Sequence, residues 1–492
     1  MLSNIESLLL IPFEHFLFAE LFIAVSALFL LVFAVCKGDK SSNYISFYGV
    51  IILIIATLLL DKTSGQGQAL FGYLLPLKQV ICVLSALCLL LFIGHSKYNI
   101  RNSRAEFPVL ILFSVIGALI LISANDFLTF YLGLELMSFA LYILTAINRE
   151  NIKSQEAALK YFILGCLSSG FLLFGISILY GVSGSIYFVE IAENLNLIVS
   201  QTGISNFMLI LPVVFIVIGL LFKVTAVPFH MWAPDVYQGS PTPVTVFISS
   251  VPKVAVFIIF SRILSEPFEI LFAHYEQIIY VVAMLSMLVG ALGAINQSNF
   301  KRLLAYSGMN HVGFMLIALV SIDAESQRSL LLYLVIYSAI IIGAFAFLMA
   351  IKQSHFSNEV ADKKPLEDLT ALSGLSKTSP YLAFGITVLM LSMAGLPPFA
   401  GFFAKFFMFM IALKNEFYLL AFVGAVSTVI AAFYYLRVIK IIYFDSPTQE
   451  YTKKPTIATI LVLLVTVFFN LLLFLNPIIL ISLIESSTSF IF

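Results

Sequence analysis

Fourteen mostly apolar runs, most of them close to twenty residues long, divide the chain at roughly 15–36, 44–60, 76–94, 107–123, 127–147, 157–181, 206–227, 241–262, 275–295, 300–321, 329–351, 380–413, 417–443 and 455–485. A helix of about 20 residues crosses a 30 Å hydrocarbon core. Inside that core every backbone N–H and C=O needs a partner within the protein, which leaves helices and closed barrels as the spanning structures. No alternating strand pattern stands out. The expected fold is therefore an all-α polytopic membrane protein with about 14 transmembrane helices in one transmembrane domain, 1–492. A mean hydropathy of +1.06 agrees, being far above that of soluble chains. The connectors 182–205 and 352–379 are too short to be domains. Zero net charge argues against nucleic acid as a partner. The first residues, MLSNIESLLLIPFEH, lack the basic start of a cleaved signal peptide.

Cationic residues orient the spans. With loops numbered after each span, odd loops hold 18 Lys and Arg, from Lys37 and Lys40 to Lys453 and Lys454. Even loops hold five: Lys62, Lys78, Arg262, Arg328 and Lys414. Positive residues stay on the cytoplasmic side. Odd loops are thus expected to be cytoplasmic, with both termini on the other side.

The remaining three cations, Lys223, Lys253 and Lys405, fall inside spans. Two belong to the stretch 220–257, LLFKVTAVPFHMWAPDVYQGSPTPVTVFISSVPKVAVF, which five prolines and the only Trp, Trp232, also occupy. A lysine at a helix centre costs about 2.5–3.5 kcal/mol to insert. Proline removes a donor and clashes with the preceding turn, so Pro228 breaks its span. Broken helices at membrane depth survive only where protein or water satisfies the freed groups. A second break follows at Leu396-Pro397-Pro398, just before Lys405. Two discontinuous helices are expected.

Glu135 completes the set. It lies eight residues past Phe127, about 12 Å into the core at 1.5 Å per residue. Lys253 lies at a similar depth after Pro243. For any one such charge, a passive or snorkelling side chain is the alternative reading. One acid and three lysines, two of them beside breaks, point to proton transfer. Burial disfavours a charged lysine and a nearby carboxylate restores it, so making and breaking the pair loads and releases a proton. Anion binding would favour Arg for its bidentate fork. His311, about ten residues into its span, is either a hydrogen-bonded structural residue or a relay between lysines. His230, just past Pro228, serves the path or caps the break.

The two breaks lie five spans apart. Five is odd, so two five-span units would run in opposite directions. Interrupted segments at matching positions of inverted halves point to a transport path. Cys36, Cys82, Cys88 and Cys166 all sit in apolar runs without ligand spacing and read as small buried hydrophobes. No metal, haem, cluster or nucleotide motif is evident in this chain, and no cofactor is expected in it.

The segments LGLELMSFALYIL, FKVTAVPFHMWAPDVYQGSPTPVTVFISSVPKVAVF, NFKRLLAYSGMNHVGFM and LSMAGLPPFAGFFAKF resemble the antiporter-like membrane subunits of respiratory complex I and of multisubunit Na⁺/H⁺ antiporters. The resemblance covers nearly the whole chain. Lysine at 405 separates it from sister subunits that tend to carry an acid there. The resemblance implies two inverted five-helix repeats, 107–265 and 275–443, flanked by helices in 1–95 and 455–485. It implies a proton relay of Glu135 paired with Lys223, a central Lys253 and a terminal Lys405, within a proton-translocating subunit of an NADH-quinone oxidoreductase. NAD, FMN, iron–sulfur clusters and quinone would belong to partner subunits, reached through other membrane subunits and a peripheral redox arm. The implied location is the cell inner membrane, with the lipid bilayer as surroundings. The alternatives are a subunit of a Na⁺/H⁺ antiporter, which would need more mid-span acids than Glu135, or of a membrane-bound hydrogenase-type complex.

Overall fold

A computed structural model describes residues 18–62, 74–96, 104–202, 207–321, 323–354, 367–447 and 454–477. Among these residues lie eighteen α-helices and no strand longer than an isolated bridge. The first three helices are α1 (Phe18–Lys37), α2 (Ser42–Lys62) and α3 (Leu74–Ser96). The next group is α4 (Glu106–Ser123), α5 (Phe127–Thr145), α6 (Ile152–Ser183), α7 (Phe188–Thr202), α8 (Phe207–Lys223), α9 (Trp232–Gly239) and α10 (Thr242–Ser265). Then come α11 (Phe272–Ile295), α12 (Phe300–Val320), α13 (Ala324–Ser354), α14 (Leu375–Thr378), α15 (Pro380–Ala394), α16 (Ala400–Lys414) and α17 (Tyr418–Phe444), and last α18 (Ile457–Leu475).

Each apolar run of the sequence corresponds to one helix, except 380–413, which divides into α15 and α16; α8 fills 206–227 and its broken continuation α9 lies past the end of that run. The helices overrun or undershoot the runs by a few residues, because a helix continues into the interface until a cap stops it. Asp126, Asn151 and Asn299 cap α5, α6 and α12 by accepting from backbone N–H groups one turn on. The connector 182–205 is not bare: it carries α7. Residues 478–485 of the last run and 355–366 of the second connector lie outside the described residues.

Burial sorts the helices. In α10, α12 and α13, 94% of the apolar window is buried inside the protein, against 33% in α1 and α6. These three central helices carry Lys253, His311, Asn310, Ser307, Tyr333 and Tyr337. In lipid the polar residues belong inside and the apolar faces outside, and α12 follows that logic.

Two stretches share one local architecture. Ahead of α5, Phe127 N donates to Ile186 O and Phe188 N to Asn125 O, forming an isolated bridge. Ahead of α12, Phe300 N donates to Glu367 O and Leu369 N to Ser298 O in the same way. Ser114 of α4 donates to Met137 O of α5, and Asn310 of α12 donates to Met287 O of α11. Counted from the caps Asp126 and Asn299, these are the same positions.

Candidate functional site

The first break holds the acid and its lysine. α5 carries Glu135, Ser138 and Tyr142 at spacings of three and four, hence on one face. Lys223 is the last residue of α8. Its Nζ donates to Ser138 Oγ at 2.9 Å and to Tyr142 OH at 3.4 Å, and stands 3.9 Å from Glu135 Oε1. Ser169 of α6 donates to that carboxylate oxygen and accepts from Lys223 at 3.5 Å. Both charged side chains are largely buried, at 6% and 12% exposure.

α8 ends because Thr225 takes a left-handed conformation, φ 68°, and Pro228 has no N–H to offer. The freed groups are satisfied by other parts of the protein, as membrane burial demands. Trp232 Nε1 donates to Phe222 O at 3.2 Å, and Val227 N donates to Ser286 Oγ of α11 at 2.9 Å. The single tryptophan is thus the cap of the first break, held by the Tyr161 ring stacked on it at 4.4 Å. His230 is half-buried in the turn between α8 and α9. It supplies neither of these two capping bonds.

At the second break α15 ends at Ala394 because Gly395 adopts φ 81°. Lys405 comes from α16, donates to Ala394 O at 3.2 Å and lies 5.3 Å from the centre of the Phe314 ring. A helix C-terminus carries partial negative charge, and an aromatic face adds a cation site. Lys405 is therefore held by a broken helix end and a ring, where Lys223 is held by hydroxyls and an acid.

Lys253, in the middle of α10, is 3% exposed. Among the described residues no carboxylate lies within ion-pair distance of it; its Nζ donates to Tyr337 OH at 3.4 Å and sits near the Tyr337 and Tyr237 rings. The Tyr337 ring lies 5.2 Å from that of His311. His311 Nδ1 meets Tyr333 OH at 2.7 Å, and Nε2 meets Tyr435 OH at 3.1 Å, which in turn meets Ser307. His311 is thus hydrogen-bonded through both nitrogens within a tyrosine cluster that adjoins Lys253.

The structure brings Glu135 to Lys223, and His311 toward Lys253 through Tyr337. Direct hydrogen bonds do not join Lys223 to Lys253, or His311 to Lys405, among the described residues. Sequence reasoning missed the hydroxyls. Ser138 and Tyr142 were findable as the residues three and seven beyond Glu135. Ser169, Tyr333, Tyr337 and Tyr435 carried no signal, since Ser and Tyr are ordinary residues of apolar helices.

Two charged groups also escaped. Lys78, counted above as a loop residue, is buried in α3 and pairs with Glu20 of α1 at 2.7 Å. Glu367 lies outside the spanning helices, clasped by Lys301 at 3.0 Å and Lys352 at 2.6 Å. Burial alone would push its carboxyl up, but the two ammonium groups outweigh that and hold it well below the usual carboxylate range.

The family described as NADH:quinone oxidoreductase/Mrp antiporter, transmembrane, matches residues 124–431. A Rhizobium meliloti protein named NADH-quinone oxidoreductase subunit N 1 is 42% identical over 88% of this chain and 89% of its own length. A Pelagibacter ubique protein named NADH-quinone oxidoreductase subunit N is 40% identical over 93% and 97%. Among solved structures, a chain of respiratory complex I from Thermus thermophilus with bound aureothin superposes with a TM-score of 0.76 at 29% identity, covering 94% of this chain and 98% of that one. A chain of the archaeal membrane-bound sulfane sulfur reductase shares the fold, with a TM-score of 0.81 at 22% identity over 96% of each chain.

Proposed function

The chain belongs to the NADH:quinone oxidoreductase/Mrp antiporter membrane family, and from that membership we propose how its buried charges work. It is a multi-pass membrane protein that acts as a proton-translocating subunit, of the subunit N type, in an NADH-quinone oxidoreductase. Its partners are other membrane subunits of that complex and, through them, the arm where NAD, FMN, iron–sulfur clusters and quinone do the redox chemistry. This chain moves protons. Its location is the cell inner membrane.

The relay consists of Glu135 with Lys223, then Lys253, His311 and Lys405. The observation that carries this reading is the Glu135–Lys223 pair, 3.9 Å apart at a helix break and bridged by Ser169. An ammonium that shares a hydroxyl with its acid can be loaded while the pair is closed and unloaded when it opens. His311 and the tyrosines Tyr333, Tyr337 and Tyr435 offer exchangeable protons between Lys253 and the second half. Lys405 ends the path at the second break. His230 stands beside the first break as an accessory group.

The two halves, 107–265 and 275–443, are read as inverted five-helix repeats. The paired bridges ahead of α5 and α12 and the matching interhelical hydrogen bonds support this. The face bearing 146–151 and 296–302 is read as cytoplasmic, and both termini as non-cytoplasmic.

Purification of the native complex, identification of its co-purifying subunits and NADH-driven proton uptake in vesicles test the function. NADH dehydrogenase subunits are expected to co-purify. Their absence, or co-purification with hydrogenase subunits, contradicts it. Reporter fusions after Phe492 and within 355–366 are expected on opposite sides, and the same side for both overturns the orientation.

A further inference from the structure

The first break is held from both halves of the chain. Phe222 O is taken by Trp232, inside the same half, but Val227 N is taken by Ser286 of α11, in the second half. Both residues of that second bond are buried, Ser286 completely. α9, beyond the break, is tied in the same manner. Asp235 accepts from Lys160 of α6 at 2.7 Å with one oxygen and from Arg302 of α12 at 2.6 Å with the other. Arg302 also donates to Gln238 Oε1 at 3.1 Å. The broken helix that carries Lys223 thus leans on α11 and α12 as well as on its own half.

α11 and α12 pack backbone to backbone. A Cβ on Gly290 would lie 2.4 Å from Asn310 N, and one on Gly313 would lie 2.7 Å from Met287 N. Small residues permit such close approach between membrane helices. Asn310 Nδ2 donates to Met287 O, one residue past Ser286, and Asn310 adjoins His311 in sequence. A displacement of α12 at His311 therefore carries Ser286 with it. Ser286 in turn holds Val227, four residues beyond Lys223.

The second break is built differently. A Cβ on Gly117 of α4 would meet Met137 N at 2.5 Å, as one on Gly290 meets Asn310 N, and this match sets Phe113 at the place of Ser286. Val227-Pro228-Phe229 likewise matches Pro397-Pro398-Phe399. On the reading of inverted repeats, the counterpart of the Val227–Ser286 bond would need Pro397, which has no N–H, and Phe113, which has no hydroxyl. There Gly401 N donates instead to Ser392 Oγ of α15, which donates to Asn470 Oδ1 of α18. Donor and acceptor are present together at the first break and absent together at the matching place.

We propose that Ser286 is a positioning residue for Lys223: through its hydroxyl the α11–α12 pair fixes the break at Val227 and so sets how Lys223 stands against Glu135. Lys223 Nζ bonds to Ser138, Tyr142 and Ser169, so Ser286 acts on it through the backbone of the break alone. A shift in the second half thereby registers at the first pair without a proton passing between them. This rests on reading Lys223 as a proton carrier.

The test uses the assembled complex, with hydrogen–deuterium exchange of its peptides and NADH-driven proton uptake in vesicles read side by side. Ser286→Ala is expected to speed exchange in 224–231 and leave 399–402 unchanged, and to slow uptake several-fold at equal complex content. Ser286→Thr keeps the hydroxyl and is expected to stay near the parent in both readings. The double variant Val227→Pro, Ser286→Ala removes donor and acceptor together, so no buried group is left unpaired, and such paired removal is nearly neutral where a bond only satisfies its two groups. It is expected to assemble and to remain several-fold slow, and it serves if Ser286→Ala fails to assemble. Uptake restored to the parental rate in the double variant overturns the proposal, because the bond then does no more than pair two buried groups. Parental uptake in Ser286→Ala, or equal loss in Ser286→Ala and Ser286→Thr, also overturns it. Exchange is read without turnover, so unchanged exchange in Ser286→Ala overturns the holding contact whatever uptake shows. A parent complex without NADH-driven uptake counts against the function and leaves the contact to the exchange.

Discussion

Glu135 Oε1 and Lys223 Nζ stand 3.9 Å apart, and the Ser169 hydroxyl donates to the first while accepting from the second. The pair is therefore a hydrogen-bonded triad across α5, α6 and α8. Ser169→Ala removes the bridge and leaves the carboxylate short of a donor, a loss of about 1–3 kcal/mol for a buried group. Proton uptake by the complex in vesicles is expected to fall, though less than in Lys223→Ala, which removes the ammonium itself. Uptake equal to that of the unsubstituted complex would contradict the bridging role.

Gly165 of α6 makes room for the same site. A methyl group there would lie 2.1 Å from Tyr142 OH, which accepts from Lys223. Gly165→Ala is expected to displace the ring, loosen Lys223 and slow proton uptake several-fold. Gly170→Ala, on the same helix with open space around it, is expected to be near neutral. Equal uptake by the two variants, at equal complex content, would count against the placement of Tyr142.

Glu367 carries a pH signature. Burial works against its charge, but Lys301 and Lys352 hold the carboxyl well below its ordinary value of about 4.3. A carboxyl depressed by folding binds fewer protons folded than unfolded, so its stabilisation is complete above about pH 4.3 and is lost as pH falls through the depressed value. Glu367→Gln leaves buried Lys301 without its acid and is expected to cost on the order of 3 kcal/mol at pH 7. Thermal unfolding of the complex at pH 7 and in steps below about pH 4.3 checks this. The gap between variant and parent should close as the pH drops, whereas a constant gap would mean that the charge is not what Glu367 contributes.

The spans were legible because a bilayer imposes one length on every crossing segment, and α1 to α18 follow those runs apart from α7, α9 and α14, which lie between them. The breaks were legible too, since Pro228 and Pro397-Pro398 stand beside lysines that lipid would reject. The partners of those lysines were not. Ser169 and Tyr337 reach their lysines from helices far along the chain, and no spacing rule links residues 169 and 223 or 253 and 337. Lys78 reads as a loop residue because it lies near a span end, where a buried pair with Glu20 and an exposed lysine look alike in sequence. Glu367 was hidden for a different reason: a polar connector is expected to be wet, and only the fold brings this carboxylate between Lys301 and Lys352.

The coupling of Glu135 to Lys223 is the centre of the account, and a double-mutant cycle on proton uptake measures it most directly. Lys223→Ala is expected to reduce NADH-driven uptake strongly, and Lys223→Arg to restore it only in part because Arg scarcely releases its proton. Glu135→Gln removes the negative field that favours the ammonium and should slow uptake, with a milder defect in Glu135→Asp. The double variant Glu135→Gln, Lys223→Ala is predicted to be about as impaired as Lys223→Ala alone, since the acid then has nothing to tune. Defects that multiply in the double variant, with NADH oxidation followed in parallel, would show two residues acting independently and contradict the paired relay.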